Sequence, residues 1–365
     1  MLRSLLAAVL LLPLAAAAQA PDSFALPETP QRPESVALAG ASVAVVTDDP
    51  LVLFDNPSML AAAGQRPSFR VGSGVAPDFF GFGDFVVGSG AATVGLRTSL
   101  AGRPLTVGLS AGYSEIFAEN GLFNPGQSND ATEERAYGGG IGLGWTARAA
   151  RFRVGAAAFQ RESFETRQPL SGTAVRDKAV TLDLGASFTA PHLPGPTASG
   201  ETAPALSITA GYAAQNLTLS SDSFEREFPT NEGDLEVAQR GGLSVSVALV
   251  RQLGARGRFR VVEGVLSGES RRGLDETNRY AGAVTLGETL TLRAGVNDRN
   301  LLDNWISYGA SLSIDGLLRA IGTASESPGL FALSDRLTAR LDLARFAAGE
   351  DVQSEYAGFT LGWRP

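Results

Sequence analysis

The chain has 365 residues, enough for one large domain or two ordinary ones, and it contains no cysteine, which removes disulfide and thiol chemistry. Its 38 acidic and 30 basic residues leave a net charge of −8, and without a basic stripe to neutralise phosphates no nucleic-acid partner is expected. Apolar residues make up 44% and glycines number 43, a composition that suits walls of strands needing apolar side chains on one face only.

Residues 1–20, MLRSLLAAVLLLPLAAAAQA, join one arginine, a short apolar run interrupted by Pro13, and small residues ending in Ala18-Gln19-Ala20. This is the order of a secretory signal, with cleavage expected near Ala20. No later stretch has the roughly 20 uninterrupted apolar residues of a membrane helix. Residues 21–34 are rich in proline and polar residues and read as a flexible start.

Residues 35–64, SVALAGASVAVVTDDPLVLFDNPSMLAAAG, form a distinct unit. Small residues from Ala37 to Ala41 permit close packing. Asp48-Asp49-Pro50 is suited to cap a short helical turn over Leu51 to Phe54, with proline in its first turn. Asn56-Pro57 ends that turn and starts another over Ser58 to Ala63, closed by Gly64. The unit is too apolar to hang free, so residues 21–64 are expected to comprise a periplasmic start and a plug inside the structure formed by residues 65–365.

From there the period is two. Leu105, Val107, Leu109, Ala111 and Tyr113 alternate with Thr106, Gly108, Ser110, Gly112 and Ser114, the pattern of strands with two unlike faces. Fourteen strands are predicted: 68–76, 85–100, 104–115, 137–149, 151–164, 178–190, 205–217, 239–252, 257–268, 279–287, 289–297, 305–315, 335–344 and 354–363. Short links near 102, 149, 255 and 287 alternate with long ones at 116–136, 165–177, 218–238, 269–278, 298–304 and 345–353. An up-and-down transmembrane β-barrel sorts its connections this way. Two links on the short side are longer: 191–204, a Pro/Gly linker, and 316–334, where DGLLRAIG suggests a helical turn. The alternation breaks at Val261-Val262 and at Phe159, where a bulge or kink would reset the phase. Arg97, Arg148, Arg151 and Arg293 lie near strand ends and either line the lumen or reach headgroups.

Chemistry-bearing motifs are scarce. The one histidine, His192, sits beside Pro191 in the linker, and a lone histidine without cysteines builds no usual zinc or copper site. There is no GxSxG, HExxH or P-loop pattern. Glycine clusters at 138–144 and 241–242 open strands rather than helices. Glu133-Glu134 and the stretch from Glu225 to Glu236 read as solvated loops. No catalytic residue, cofactor or metal is expected.

The unit before the first strand resembles the N-terminal region of FadL-like outer-membrane barrels, especially the PorV/PorQ group. Ala37-Leu38-Ala39-Gly40-Ala41, Val43-Ala44, Asp48-Asp49, Asn56-Pro57-Ser58 and Leu60 follow its spacing, with Ser58 where alanine is usual. Ala214-Gln215-Asn216-Leu217 resembles a strand end of that group, with Thr218 in place of glycine. LTLRAGV and ISYGASLS, at 290–296 and 306–313, resemble its hairpin. The resemblance implies a fourteen-stranded barrel in the outer membrane with a plugged lumen and no enzymatic activity. It makes Gly40, Asp48, Asp49, Asn56 and Pro57 the plug motif. It implies either an accessory to type IX secretion and surface attachment, with secretion-system or surface-anchored proteins as partners, or passage of hydrophobic small molecules such as fatty acids, with Leu51, Leu53 and Phe54 as ligand contacts. The last residues, Phe359 to Pro365, depart from the group in lacking a terminal aromatic.

Overall fold

The computed structural model describes residues 31–77, 85–100, 102–118, 131–147, 149–166, 174–223, 237–253, 257–273, 276–299, 305–348 and 352–365. They form one closed antiparallel barrel of fourteen strands, each bonded to its chain neighbours, with the first strand pairing with the last. The strands are β1 (Ser68–Ala76), β2 (Phe85–Leu100), β3 (Arg103–Ala118), β4 (Ala131–Ala147), β5 (Ala150–Thr166), β6 (Ala174–Pro194), β7 (Thr202–Ser223), β8 (Ala238–Gln252), β9 (Arg258–Arg272), β10 (Thr277–Leu286), β11 (Leu290–Arg299), β12 (Trp305–Ser313), β13 (Leu337–Ala348) and β14 (Val352–Trp363). All fourteen coincide with predicted strands. The wall is uneven: β6 and β7 have 21 and 22 residues, β1 and β12 only 9. Strands of about 9–11 residues are enough to span a bilayer core; β6 and β7 have about twice that, because residues assigned by sequence to long links continue the ladder. Glu133 and Glu134, expected in a solvated loop, lie in β4, and Glu134 is fully buried. The stretch from Glu225 to Glu236 and Arg148 lie outside the described residues.

Alternation decides which side chains face in. Leu109, Ile141, Val154, Leu184, Leu243, Leu266, Leu292, Leu343 and Leu361 are exposed on the outer face, Leu266 to 70%. Their strand neighbours Ser110, Arg153, Asp183, Ser244, Ser267, Arg293, Asp342 and Thr360 are buried on the inner one. This polarity inverts that of a water-soluble protein, which buries its large apolar side chains and exposes its charges. Trp145, Phe152 and Phe188 form a cross-strand aromatic row on the outer face of β4–β6, with ring centroids 5.8 and 4.8 Å apart.

Two phase breaks resolve differently. At Val261 the β8–β9 register shifts, with Leu249 opposite Val262 and Val250 opposite Arg260, so a bulge is present there. At Phe159 the register on both sides is regular, and the ring points into the lumen. The expected bulge is absent, because an inward aromatic has a partner there. Asn216, expected at a strand end, instead sits mid-strand in β7 with φ +65°, where the β6–β7 register slips and its N–H bonds Asp183 Oδ1 at 2.8 Å. The link between β12 and β13 holds two helices, α2 (Ile314–Ala324) and α3 (Pro328–Arg336), in place of a single turn. Ser313 caps α2 by accepting the Gly316 N–H at 3.0 Å. His192 belongs to β6 rather than to a linker.

Candidate functional site

The interior is occupied by residues 31–66 of the chain itself. The first helix, α1 (Pro33–Ala37), straddles the boundary drawn between the flexible start and the unit at 35–64, and the sequence does not predict it; Pro33 opens it and all five residues are buried. It lies towards the long-loop end, where Gln31 accepts bonds from Ser89 and Ser114 and Val36 and Ala37 pack with Val87, Ile116, Phe346 and Tyr356. Gly40 then turns the chain in the left-handed region, at φ +83°, with its N–H on the Ser35 carbonyl.

Two short 3-10 helices follow as the capping pattern requires. Asp49 accepts the Leu51 N–H at 2.9 Å at the head of Pro50–Phe54. Asn56 accepts the Ser58 N–H at 3.1 Å at the head of Pro57–Gln65. Asn56 also donates to the Val43 carbonyl at 2.8 Å, tying the two arms of the segment together. Ser58 adds a hydroxyl bond to Asn56 Oδ1 at 2.8 Å that alanine would not supply.

Acidic side chains of the segment meet arginines of the wall. Asp55 is held by Arg32 at 2.8 Å and by Arg240 of β8. Arg240 also pairs with Glu269 of β9 at 2.6 Å, and Glu269 accepts the Ser42 and Val43 N–H groups. Glu34 faces Arg293 of β11 at 3.4 Å and Arg32 at 3.3 Å. Asp49 meets Arg340 of β13 at 2.6 Å, while Asp48, partly exposed, pairs with Arg70 of β1 at 3.0 Å and Arg364 at 3.6 Å. The Asp48-Asp49 pair thus clamps the seam where first and last strands meet. Burial opposes ionisation of Asp55, but Arg240 and Arg32 outweigh it and hold its pKa at about 2. Glu34 is likewise held at about 2 against burial, by Arg293, Arg32 and Arg340. Burial pushes Asp49 above its ordinary value despite Arg340 and Arg32.

The other arc of wall, β2 to β6, touches the segment through glycines. A Cβ on Gly108 would overlap the Leu60 carbonyl, one on Gly155 the Pro57 carbonyl, and one on Gly95 the Ala63 carbonyl. Leu53, Val52, Met59 and Leu60 form a cluster there with Ala157 and Phe159. Leu51 and Leu53 are fully buried within this packing, whereas Phe54 is half-buried and stacks on Phe159 at 5.4 Å.

Sequence reasoning missed Arg32, Glu34, Asp55, Arg240, Glu269 and Arg340. For Arg240, Glu269 and Arg340 the available signal is charge at inward-parity strand positions, which the sequence reading uses for Arg97, Arg148, Arg151 and Arg293 alone. Arg97, Arg151 and Arg293 all fall on inward positions. Among the described residues no group of three or more His, Cys, Asp or Glu is placed to hold a metal ion. The carboxylates of the segment are engaged by neighbouring arginines, so what this arrangement does is fix a segment in place.

No protein-family model and no curated protein sequence matches the chain. Among solved structures it is similar to a Pseudomonas aeruginosa FadL homologue, at 11% identity and a TM-score of 0.42 over 92% of this chain and 99% of that one. It is similar to the Ralstonia pickettii toluene transporter TbuX, at 10% identity and a TM-score of 0.43 over 91% and 97%. The transport unit of the Escherichia coli autotransporter AIDA-I matches at 10% identity and a TM-score of 0.36 over 82% and 90%.

Proposed function

We propose that this chain is a non-enzymatic outer-membrane barrel of the FadL-like kind, closed by residues 31–66 as a plug, and that it works as an accessory barrel of PorV/PorQ type in secretion or surface attachment. The observation that carries the membrane reading is the inverted polarity of the wall, apolar outside and charged within. What supports the accessory reading is the ion-paired, polar lumen, filled by a segment that wall arginines hold at four carboxylates, Glu34, Asp48, Asp49 and Asp55. Partners would then be met at the long-loop end, on the side of the longest strands, β4 to β7.

One observation favours a second reading, passage of hydrophobic small molecules. Phe54 keeps part of its ring uncovered above Phe159, beside the irregular stretch of β7 whose Gln215 donates to the Phe54 carbonyl at 3.0 Å. Leu51 and Leu53 would join such a path only after the plug shifts.

Membrane fractionation with heat-modifiable gel migration tests the barrel; recovery as a soluble periplasmic protein would end the proposal. Reconstituted vesicles then separate the two functions. The accessory reading expects co-purification of exported proteins and no faster uptake of toluene or oleate than empty vesicles. Uptake that falls on Phe54→Ala would install the second reading.

A further inference from the structure

We propose that the short-turn mouth of the barrel carries a binding site for a phosphate-class anion, built by Arg97, Arg151 and Arg153 beneath the second 3-10 helix. These side chains line a cavity of about 190 Å³ together with Gln65 and Thr106. Arg97 lies on β2, Thr106 on β3 and both other arginines on β5, all at inward positions of the last turns of wall before the short links.

Arg153 is the observation that asks for a ligand. It is 3% exposed, and its hydrogen bond runs to a neutral hydroxyl, Thr189 Oγ1, at 3.1 Å. Arg32, Arg70, Arg161, Arg240 and Arg293 are comparably buried in the same lumen, and each has a carboxylate within 3.8 Å. No such partner stands beside Arg153, Arg151 or Arg97 among the described residues. A buried guanidinium without a counter-charge is disfavoured, whereas an anion held between Arg153 and the exposed Arg97 and Arg151 restores charge balance and accepts forked N–H bonds. Planar guanidinium groups match phosphate oxygens bidentately, and glutamine and threonine add neutral donors. Trp145 and Phe152, whose rings stand on the outer face, border the same cavity, so the site lies at the level of the wall's outer aromatic row, where a lipid headgroup as well as a free anion could supply the phosphate. The anion is therefore either free phosphate or the phosphate of a headgroup.

Calorimetric titration of the full-length barrel in neutral detergent decides this, with inorganic phosphate in one arm and dihexanoyl phosphatidylglycerol in the other. Saturable binding is expected, weakening as salt is raised. Arg153→Gln and, separately, the exposed Arg151→Gln are each expected to weaken it about tenfold or more, the scale of one charged hydrogen bond. Tighter binding of the lipid than of phosphate assigns the site to headgroups; equal binding assigns it to the free anion. Phosphate should raise the melting temperature of the unsubstituted protein and not of Arg153→Gln. Absence of binding in both arms, or unchanged binding by the correctly migrating Arg151→Gln variant, overturns the proposal. The phosphate arm makes no use of the barrel's role in secretion or transport, so it fails or stands apart from that role.

Discussion

The two arcs of the barrel hold the same segment differently, one by close packing alone and the other by close packing reinforced with ion pairs. Along β2 to β6 the second 3-10 helix lies so close that glycines at Gly95, Gly108 and Gly155 leave room for its backbone and nothing more. From β8 round to β1 close glycine contacts recur, Gly242 against Val43, Gly295 against the Leu38 backbone and Gly309 against Ala37, and to them are added long arginine side chains reaching carboxylates at Glu34, Asp48, Asp49 and Asp55. Steric fit of the first sort has one position and no chemical handle. Ion pairs of the second sort respond to protons and to any competing charge. The difference implies an order of release: residues 31–55 let go first, while residues 57–65 stay seated.

The largest effect is expected from Arg240→Ala. It leaves Asp55 with Arg32 as its one arginine beside the Ser42 hydroxyl and removes one partner of Glu269. Breaking one partner of a buried charge network costs about 3–5 kcal/mol. Urea titration of the refolded barrel should show that loss, and hydrogen exchange should rise over residues 31–55 while staying slow over 57–65. Uniform exchange across both stretches would mean that the arcs do not hold the segment separately.

Acid should act on the same arc by a smaller amount for each group. Asp55 has an ordinary pKa of 3.8 and a folded value of about 2, and Glu34 falls from 4.5 to about 2. A depressed folded pKa gives stability that is complete above the unfolded value and fades as pH falls through the folded one. Pinning of the segment should therefore hold at pH 5 and weaken between pH 4 and 2, by about 2 kcal/mol for Asp55 and about 3 kcal/mol for Glu34. Pepsin is active in that window. Cleavage between residues 31 and 55 should appear below pH 4 and be absent at pH 5; cleavage at pH 5 would place the lock elsewhere.

The wall was far more legible than what fills it. Strand positions follow from period-two alternation, a local signal that every pair such as Leu109 and Ser110 repeats. The two capped turns were legible too, because Asp49 and Asn56 act on N–H groups two residues away. The ion pairs join residues such as Asp55 and Arg240, 185 positions apart, and no local pattern specifies which arginine meets which acid. Phe159 shows the limit most plainly. Its phase break was taken for a bulge because an inward aromatic makes sense only once Phe54 is known to stand opposite.

The steric arc gives the next test. Gly108→Ala would place a methyl on the Leu60 carbonyl, and Gly155→Ala one on the Pro57 carbonyl, where backbone rather than a flexible side chain must yield. Overpacking of this kind costs about 1–3 kcal/mol. Both variants should lower stability in urea, and both should raise exchange over residues 57–65 first, reversing the order expected for Arg240→Ala. Gly102→Ala, at a turn where nothing lies within 4 Å but φ is +74°, serves as a control that strains the backbone without touching the segment.

The smallest effect separates the junction of the arcs from the arcs themselves. Asn56 stands where the ion-paired arm ends and the close-packed helix begins, accepting the Ser58 N–H and donating to the Val43 carbonyl. Asn56→Ala removes a helix cap at a cost of about 1 kcal/mol. Asn56→Asp keeps the cap acceptor and loses the donor to Val43, so comparing the two variants isolates the link between arms. If that link couples the arcs, the double variant of Asn56→Asp with Arg240→Ala should confine fast exchange to residues 31–55 more sharply than Arg240→Ala alone. Equal exchange profiles in the two backgrounds would show that the arcs are already independent without it.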